Sequence, residues 1–310
     1  MAWFRTIGLV TLAILLVPTA GACPAQAQEF PTARDAEKLN AKGMALYTQG
    51  RYNEAEPLLR KALEIRRATL GENHPDTAVG YSNVASSLRA RGRYGDAEPL
   101  YRKALEIARA AFGEAHPDTA ASYNNVALNL DEQGRYGEAE PLYLTALEIA
   151  RAALGEAHPD TAASYSNVAG NLYAQGRYGE AEPLFRKALE IRRAALGENH
   201  PDTARGYNGS AANLLAQGRY GEAEPLFRKA LEIRRAVLGE AHPDTAESYN
   251  NVAANLDEQG RYGEAEPLYL TALEIRRATL GENHPDTAVG YRPPRTMPSS
   301  QGDQNPIQGY

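Results

Sequence analysis

The feature that most constrains this chain is an internal period of 42 residues. The dipeptide Arg-Tyr recurs at this interval, and the tetrapeptide Ala-Glu-Pro-Leu follows each copy three residues later. The arginines of these copies are Arg51, Arg93, Arg135, Arg177, Arg219 and Arg261. A short unit repeated this regularly predicts a stack of similar units that share one elongated core.

Each unit has the apolar spacing of two helices. In the second helix of one unit, Ala97, Tyr101 and Ala104 fall at intervals of three and four residues, which is typical of an amphipathic helix. The first helix follows Pro75, and proline suits the first helical position because its missing N–H would be unpaired there anyway. Because one helix pair cannot bury its own apolar stripe, the units must stack.

The positions of the small and aromatic residues resemble the tetratricopeptide repeat. Ala85 on the first helix, followed by Ala97, Tyr101 and Ala104 on the second, matches the signature of that family. The unit is longer than the usual repeat of about 34 residues. Its added segment, Leu-Gly-Glu-x-His-Pro-Asp-Thr, is similar to the kinesin light chain type, which is also widespread in bacterial proteins. The resemblance implies an all-α fold, a right-handed superhelical solenoid of six helix pairs.

The boundaries of this solenoid follow from where the repeat begins and fails. We expect the first helix to begin at Asp35 and the last to end near Leu280, within a repeat region of residues 35–291. Residues 288–291 would begin a seventh helix that Pro293 and Pro294 interrupt. The polar tail of residues 292–310 is expected to be disordered, and residues 28–34 to form a short linker.

The first 27 residues have the composition of a secretory signal peptide. Arg5 provides a positive start, residues 7–17 form an apolar core, and Ala25-Gln26-Ala27 has the small residues of a cleavage site. We therefore expect cleavage after Ala27 and a periplasmic or secreted protein. Eleven apolar residues are too few to span a membrane. An alternative is that Cys23 carries a lipid anchor, but the residues before it match a lipoprotein signal poorly.

Neither catalysis nor metal binding is predicted. His-Pro-Asp occurs in J-domain co-chaperones, but here it recurs in every unit and proline at a helix start explains it. Histidines such as His74 and His116 occur once per unit, so they would lie about 8–10 Å apart, too far to share a zinc ion. No nucleophile and base pair or phosphate-binding loop is recognisable. We expect a protein that is not an enzyme and uses no cofactor.

The resemblance implies that the first helices line a groove for partners. In repeats of the kinesin light chain type, asparagines on this helix hydrogen-bond the backbone of an extended peptide, and an amide can both donate and accept. The matching residues here are Asn83, Asn125, Asn167 and Asn251. The fifth unit departs from this pattern, with Gly209-Ser210 in place of Asn-Val. The alternative is that these amides hydrogen-bond between neighbouring units.

Beside the asparagines are the positions that change most from unit to unit. We expect four of these residues to set local preference for a ligand: Arg89, Tyr173, Arg205 and Leu215. Neutral drift at exposed positions is an equally good explanation of this variation.

These features predict a non-enzymatic scaffold that binds a protein or an extended peptide. The formal net charge of -6 argues against nucleic acid as a partner. An alternative is a truncated regulatory arm of a larger protein whose effector domain is missing. In that case the last helix would expose an apolar stripe and favour self-association. The stripe consists of Leu268, Tyr269, Leu273 and Ile275.

Overall fold

The computed structural model describes residues 31–281, in which twelve α-helices follow one another without a β-strand. The helices are α1 (Ala33–Thr48), α2 (Tyr52–Leu70), α3 (Pro75–Ala90), α4 (Tyr94–Phe112), α5 (Pro117–Glu132), α6 (Tyr136–Leu154), α7 (Pro159–Ala174), α8 (Tyr178–Leu196), α9 (Pro201–Ala216), α10 (Tyr220–Leu238), α11 (Pro243–Glu258) and α12 (Tyr262–Leu280). We call the odd-numbered helices A helices and the even-numbered helices B helices. The leader, the interrupted seventh helix and the tail lie outside the described residues.

The packing order confirms the predicted solenoid of six helix pairs. Each helix packs against the helix before it and the helix after it, and neighbouring A helices such as α3 and α5 also touch. The first helix begins at Ala33, two residues before the expected start at Asp35. Thr32 caps it, because the Thr32 hydroxyl accepts from the Asp35 backbone N–H while the Asp35 carboxylate accepts from the Thr32 N–H.

The His-Pro-Asp-Thr sequence starts each A helix from α3 to α11. In α3 the Nδ1 atom of His74 accepts a hydrogen bond from the backbone N–H of Asp76 at 3.1 Å, so His74 is the N-cap. Pro75 occupies the first helical position. The buried Thr77 hydroxyl donates to the carbonyl of Gly71 at 2.8 Å and ties the new helix to the end of the previous one. The motif is therefore a structural joint.

A second contact closes the same joint. The Glu72 carboxylate, between α2 and α3, accepts hydrogen bonds from the Arg67 guanidinium of α2 and the Tyr81 hydroxyl of α3. Both hydrogen bonds lower the pKa of Glu72, and the bond from Tyr81 has the larger effect. Burial, with the hydrogen bond to Glu72, raises the pKa of Tyr81 to about 12. An equivalent glutamate and tyrosine pair at each later described joint repeats this link.

The start of each B helix from α4 to α12 is held by an ion-pair network that spans two units. Arg135 donates to Glu138 of its own helix and, at 2.6 Å, to Glu98 of the preceding B helix. Gln133 donates to the same Glu98 carboxylate at 3.2 Å. Burial of Glu98 opposes its ionisation, but the hydrogen bonds from Arg102, Gln133 and Arg135 hold its pKa below the usual value. The recurring Arg-Tyr and Ala-Glu-Pro-Leu sequences thus stabilise the stacking of units.

The buried core is interrupted near the fifth unit. Val126 of α5 and Val168 of α7 are 0% and 1% exposed, and the equivalent residue of α9 is Ser210. The Ser210 hydroxyl is buried without a hydrogen-bond partner. Beside it lies a cavity of about 200 Å³, whose apolar lining includes Phe185 and Leu226. The loss of one valine therefore leaves unfilled space between units.

The last B helix corrects one expectation. Tyr269, Leu273 and Ile275 of α12 are 2%, 8% and 9% exposed, and Leu268 packs against the buried core. The predicted stripe is therefore not exposed to solvent. The prediction of an exposed stripe was wrong, and the stripe gives no reason to expect self-association.

Candidate functional site

The A helices leave one stripe of their surface uncovered. In α5 this stripe contains Ala121, Asn125 and Leu128, at the spacing of one helix face, and Leu128 is 38% exposed. Val126 and Leu130 on the other side of α5 are fully buried. We call the positions equivalent to Ala121, Asn125 and Leu128 in α3 to α11 the open face. Three of the predicted asparagines, together with Asn125 itself, occupy its centre.

Three of the four predicted asparagines bond to the neighbouring A helix. The side-chain amide of Asn83 donates to Asn40 Oδ1 at 2.8 Å, and that of Asn251 donates to Asn208 Oδ1 at 2.7 Å. Asn167 donates to an equivalent partner, Asn124, at 3.3 Å. One N–H of each amide is therefore used between units, as the alternative interpretation predicted, and the half-buried side chains remain on the open face.

Asn125 differs from these three residues. Its equivalent partner on α3 would be Ser82, and within residues 31–281 the structure shows no side-chain hydrogen bond for Asn125. The ladder also has the gap expected in the fifth unit. Gly209 has no side-chain amide. Ser166 holds the position of the acceptor on the neighbouring helix, and its buried hydroxyl has no hydrogen bond. Asn125 is thus the one of the four predicted asparagines whose whole side-chain amide is free of hydrogen bonds within the described residues.

Arg89 is held in place by the next unit. Its guanidinium Nη1 lies 3.1 Å from the Glu132 carboxylate of α5, and 23% of the Arg89 side chain is exposed. Its Nε atom is buried and has no hydrogen-bond partner. The nearby Asp131 accepts a hydrogen bond of 2.7 Å from Asn171, and burial raises the pKa of Asp131. Contacts between units therefore fix Arg89 and the acidic pair Asp131 and Glu132.

The other three variable residues lie on A helices in different environments. The rings of Tyr173 and Tyr178 are tilted by 57° with centroids 5.2 Å apart, and Tyr173 is half-buried. Leu215 is half-buried against the core. Arg205 is the most accessible of the four, with 69% of its side chain exposed and an ion pair of 3.3 Å to Asp202. The structure spreads these residues over α3, α7 and α9 and does not gather them in one pocket.

A second set of asparagines is structural, and the sequence interpretation missed it. The four residues are fully buried, and each amide donates to the carbonyl of the first residue of the preceding B helix at 3.0–3.1 Å. They are Asn129, Asn171, Asn213 and Asn255. Their recurrence at the 42-residue period was the available signal. It could not show burial, because polar side chains are usually exposed.

Among residues 31–281 the histidines cap helices, and no cluster of three or more His, Cys, Asp or Glu side chains could hold a metal ion. Over the same residues, none of the helices combines the length and the apolar character needed to cross a bilayer.

Comparison with known proteins identifies the repeat. A family model described as tetratricopeptide repeat matches residues 77–152, 118–194, 160–236, 202–277 and 244–292. A second model with the same description matches residues 36–76. A comparison with the curated proteins gave no match.

Several solved structures have a similar fold. A putative kinesin light chain with nearly identical repeats from Podospora anserina is 24% identical, with a TM-score of 0.57 over 66% of this chain and 98% of that chain. BtubC (BKLC) from P. vanneervenii is 24% identical, with a TM-score of 0.59 over 81% of this chain and 94% of that chain. The apo form of RapI is 21% identical, with a TM-score of 0.62 over 81% of this chain and 86% of that chain. Similarity at this level of identity shows a shared fold. Since the family models together span the repeats from residue 36 to residue 292, the chain belongs to the tetratricopeptide repeat family.

Proposed function

We propose that the protein is a non-enzymatic scaffold that binds an extended peptide segment of a partner along the open face. The observation that carries the proposal is the Asn125 amide, which stands on this face without a partner in the described chain. An extended peptide has unpaired backbone N–H and C=O groups, and an amide side chain can satisfy one of each. Solenoids of this family also present long surfaces of repeated helices, which suit extended ligands.

The surroundings of Asn125 favour a peptide over a compact small molecule. Val79 and Leu128, on either side of it along the open face, are 49% and 38% exposed. Apolar side chains beside an amide can contact side chains of an extended peptide while the amide contacts its backbone. The open face continues from helix to helix, so a ligand of several residues can gain contacts in more than one unit.

The experiment uses a peptide selected from a random dodecapeptide display library on the purified full chain. Its dissociation constant is then measured by fluorescence anisotropy for the parent chain and for Asn125→Ala. We expect a loss of about fivefold, since one hydrogen bond contributes about 1 kcal/mol, and an unchanged midpoint of thermal unfolding.

Two asparagine variants are the controls. Asn73→Ala removes an exposed amide in a joint and should leave both affinity and stability unchanged. Asn167→Ala should lower stability as well as affinity, because Asn167 bonds to Asn124. Full affinity in the Asn125→Ala variant would show that the open face around this residue is not the binding site.

We also propose that the chain is exported and that its partner lies in the periplasm or outside the cell. The support is the leader composition of residues 1–27. Sequencing the amino terminus of the protein from the exported fraction should give Gln28 as the first residue. An intact Met1, or a lipid on Cys23, would contradict this cleavage site.

A further inference from the structure

One buried position of the B helices divides the joints into two kinds. It holds Arg66 in α2, Arg192 in α8 and Arg234 in α10, but Ala108 in α4 and Ala150 in α6. All three arginines are less than a tenth exposed. An arginine side chain is rarely buried without a reason, because removing its charge from water is costly.

Two of the buried arginines, Arg66 and Arg234, hydrogen-bond to the start of the next A helix. Arg66 Nη1 donates to the carbonyl of Asp76 at 3.2 Å. Arg234 Nη1 donates to the equivalent carbonyl of Asp244 at 2.8 Å, to the Glu247 carboxylate at 2.9 Å and to the Ser248 hydroxyl at 3.0 Å. The fold therefore has a seat for a guanidinium group between the end of a B helix and the first turn of an A helix.

Where the arginine is replaced by alanine, the seat is an open cleft. The cleft at Ala108 has a volume of about 350 Å³ and the cleft at Ala150 about 320 Å³. The first cleft opens onto Val79 and Ala121 of the open face and is lined by Asn125, and the second opens onto Ala121 and Ala163. The charged residues that line them are all aspartates, namely Asp76 and Asp118 in the first and Asp160 in the second.

A second position is glycine at two of the three arginine joints, whereas at the joint of Arg234 it is Ser248. Gly80 faces the joint of Arg66, and Gly206 faces that of Arg192, where an added Cβ would lie 3.5 Å from the guanidinium. In the open clefts the equivalent residues are Ser122 and Ser164.

In the open clefts these serines hydrogen-bond to the backbone carbonyl that accepts from the arginine at other joints. The Ser122 hydroxyl donates to the carbonyl of Asp118 at 3.0 Å, and that of Ser164 to the carbonyl of Asp160 at 3.2 Å. These carbonyls are equivalent to the one that receives Arg66. A carbonyl oxygen has a second lone pair, so the acceptor remains available to a guanidinium group.

We propose that the two open clefts bind arginine side chains of the partner peptide, each in the seat that the chain's own arginine fills at other joints. The positive end of the A-helix dipole disfavours a cation there, and the aspartate in the first turn offsets this effect. Successive A helices lie about 8–10 Å apart, and a peptide in the extended polyproline II conformation advances about 3.1 Å per residue and returns to the same face every third residue. The preferred ligand therefore carries two arginines three residues apart. This inference rests on the proposed peptide-binding function.

The test uses the full chain and an acetylated, fluorescein-labelled decapeptide with two arginines three residues apart in a Gly, Ser and Thr background. Two further peptides carry glutamine or leucine at both arginine positions. We expect the arginine peptide to bind at least tenfold more tightly than either. Equal binding of the glutamine peptide would overturn the inference while leaving peptide binding intact, and tighter binding of the leucine peptide would identify the clefts as apolar side-chain pockets. Failure of every peptide, the library-selected one included, would count against the proposed function itself.

The matched variant fills both clefts with arginine side chains of the chain itself. It combines Ala108→Arg with Ser122→Gly and Ala150→Arg with Ser164→Gly, which reproduces the pairs found at Arg66 and Arg192 and should fold. We expect the arginine peptide to lose at least tenfold in affinity. The control places the same charges on exposed positions of the same helices, with Ala111→Arg and Ala153→Arg, and should retain at least half of the affinity. Equal losses in the two variants would show that charge alone, and not the seat, determines binding.

Discussion

Helices α5 and α9 hold equivalent places in the solenoid, and two adjacent residues are among the positions at which they differ. Helix α5 has Asn125 on the open face and Val126 in the core, whereas α9 has Gly209 and Ser210. The core is filled at Val126, and a cavity of about 200 Å³ adjoins Ser210. A Cβ added to Gly209 would lie 3.1 Å from the Phe185 ring, which occupies the space of the missing side chain. The fold therefore tolerates one irregular unit, because each unit depends mainly on its immediate neighbours.

The largest change in stability is expected when α5 is given the core residue of α9. Val126→Ser removes a fully buried side chain and places a hydroxyl where its neighbours are apolar. We expect the free energy of unfolding to fall by about 2–4 kcal/mol. Urea unfolding followed by circular dichroism measures the change. A loss below about 0.5 kcal/mol would show that the core adapts to the serine at α5 as well.

The reverse substitution in α9 should have the opposite effect on stability. Ser210→Val should fill part of the cavity and remove a buried hydroxyl that has no partner, so we expect stability to rise by about 1–2 kcal/mol. The same urea unfolding experiment applies. Ala212→Val, on the half-buried side of the same helix, is the control and should stay within about 0.5 kcal/mol of the parent. No gain in the Ser210→Val variant would indicate that the site cannot accommodate a branched side chain.

The joints that precede α5 and α9 should differ in how much stability they lose at alkaline pH. This difference is expected to be smaller than the effects of the two core substitutions. Burial, followed by the hydrogen bond to Glu198, raises the pKa of Tyr207 at the α9 joint to about 12. The same causes raise the pKa of Tyr123 at the α5 joint, whose hydroxyl lies 3.1 Å from Glu114 and which is more exposed than Tyr207. A tyrosine with a raised pKa in the folded state stabilises the fold fully below its unfolded value near 10. This contribution is lost as the pH rises from about 10 to 12.

Urea midpoints at pH 8 to 12 test this difference. Tyr207→Phe should remove more of the alkaline loss of stability than Tyr123→Phe does, because the shielded tyrosine holds its proton more tightly. Equal slopes for the two variants would show that the two joints are electrostatically alike despite their different exposure.

The regularity of the chain made the fold predictable. A 42-residue period, with apolar residues at helical spacing and proline at each A-helix start, is satisfied by stacked helix pairs. The prediction that His-Pro-Asp-Thr is a joint is confirmed, with His74 as an N-cap and Thr77 bonded to Gly71. The start at Asp35 was two residues late because the capping box formed by Thr32 and Asp35 was not recognised.

The candidate site was less predictable, because its residues differ in partners and not in type. Asn125 and Asn167 are the same residue at equivalent positions, yet the neighbour of one is Ser82 and that of the other is Asn124. Asn171, four residues after Asn167, is fully buried and structural. Periodicity shows which residues recur, but it does not show which atoms are already bonded.

The sequence by itself determined the helices, their order and their joints, because helix caps and apolar stripes are local and recur with the repeat. Only the tertiary structure decided which amide remains available and which joints are open. The clefts at Ala108 and Ala150 exist because three separate elements meet there, and a guanidinium group fills the same space where Arg66 or Arg234 replaces the alanine. Space of this kind is a property of neighbouring side chains in three dimensions, so the spacing of residues along the chain cannot reveal it.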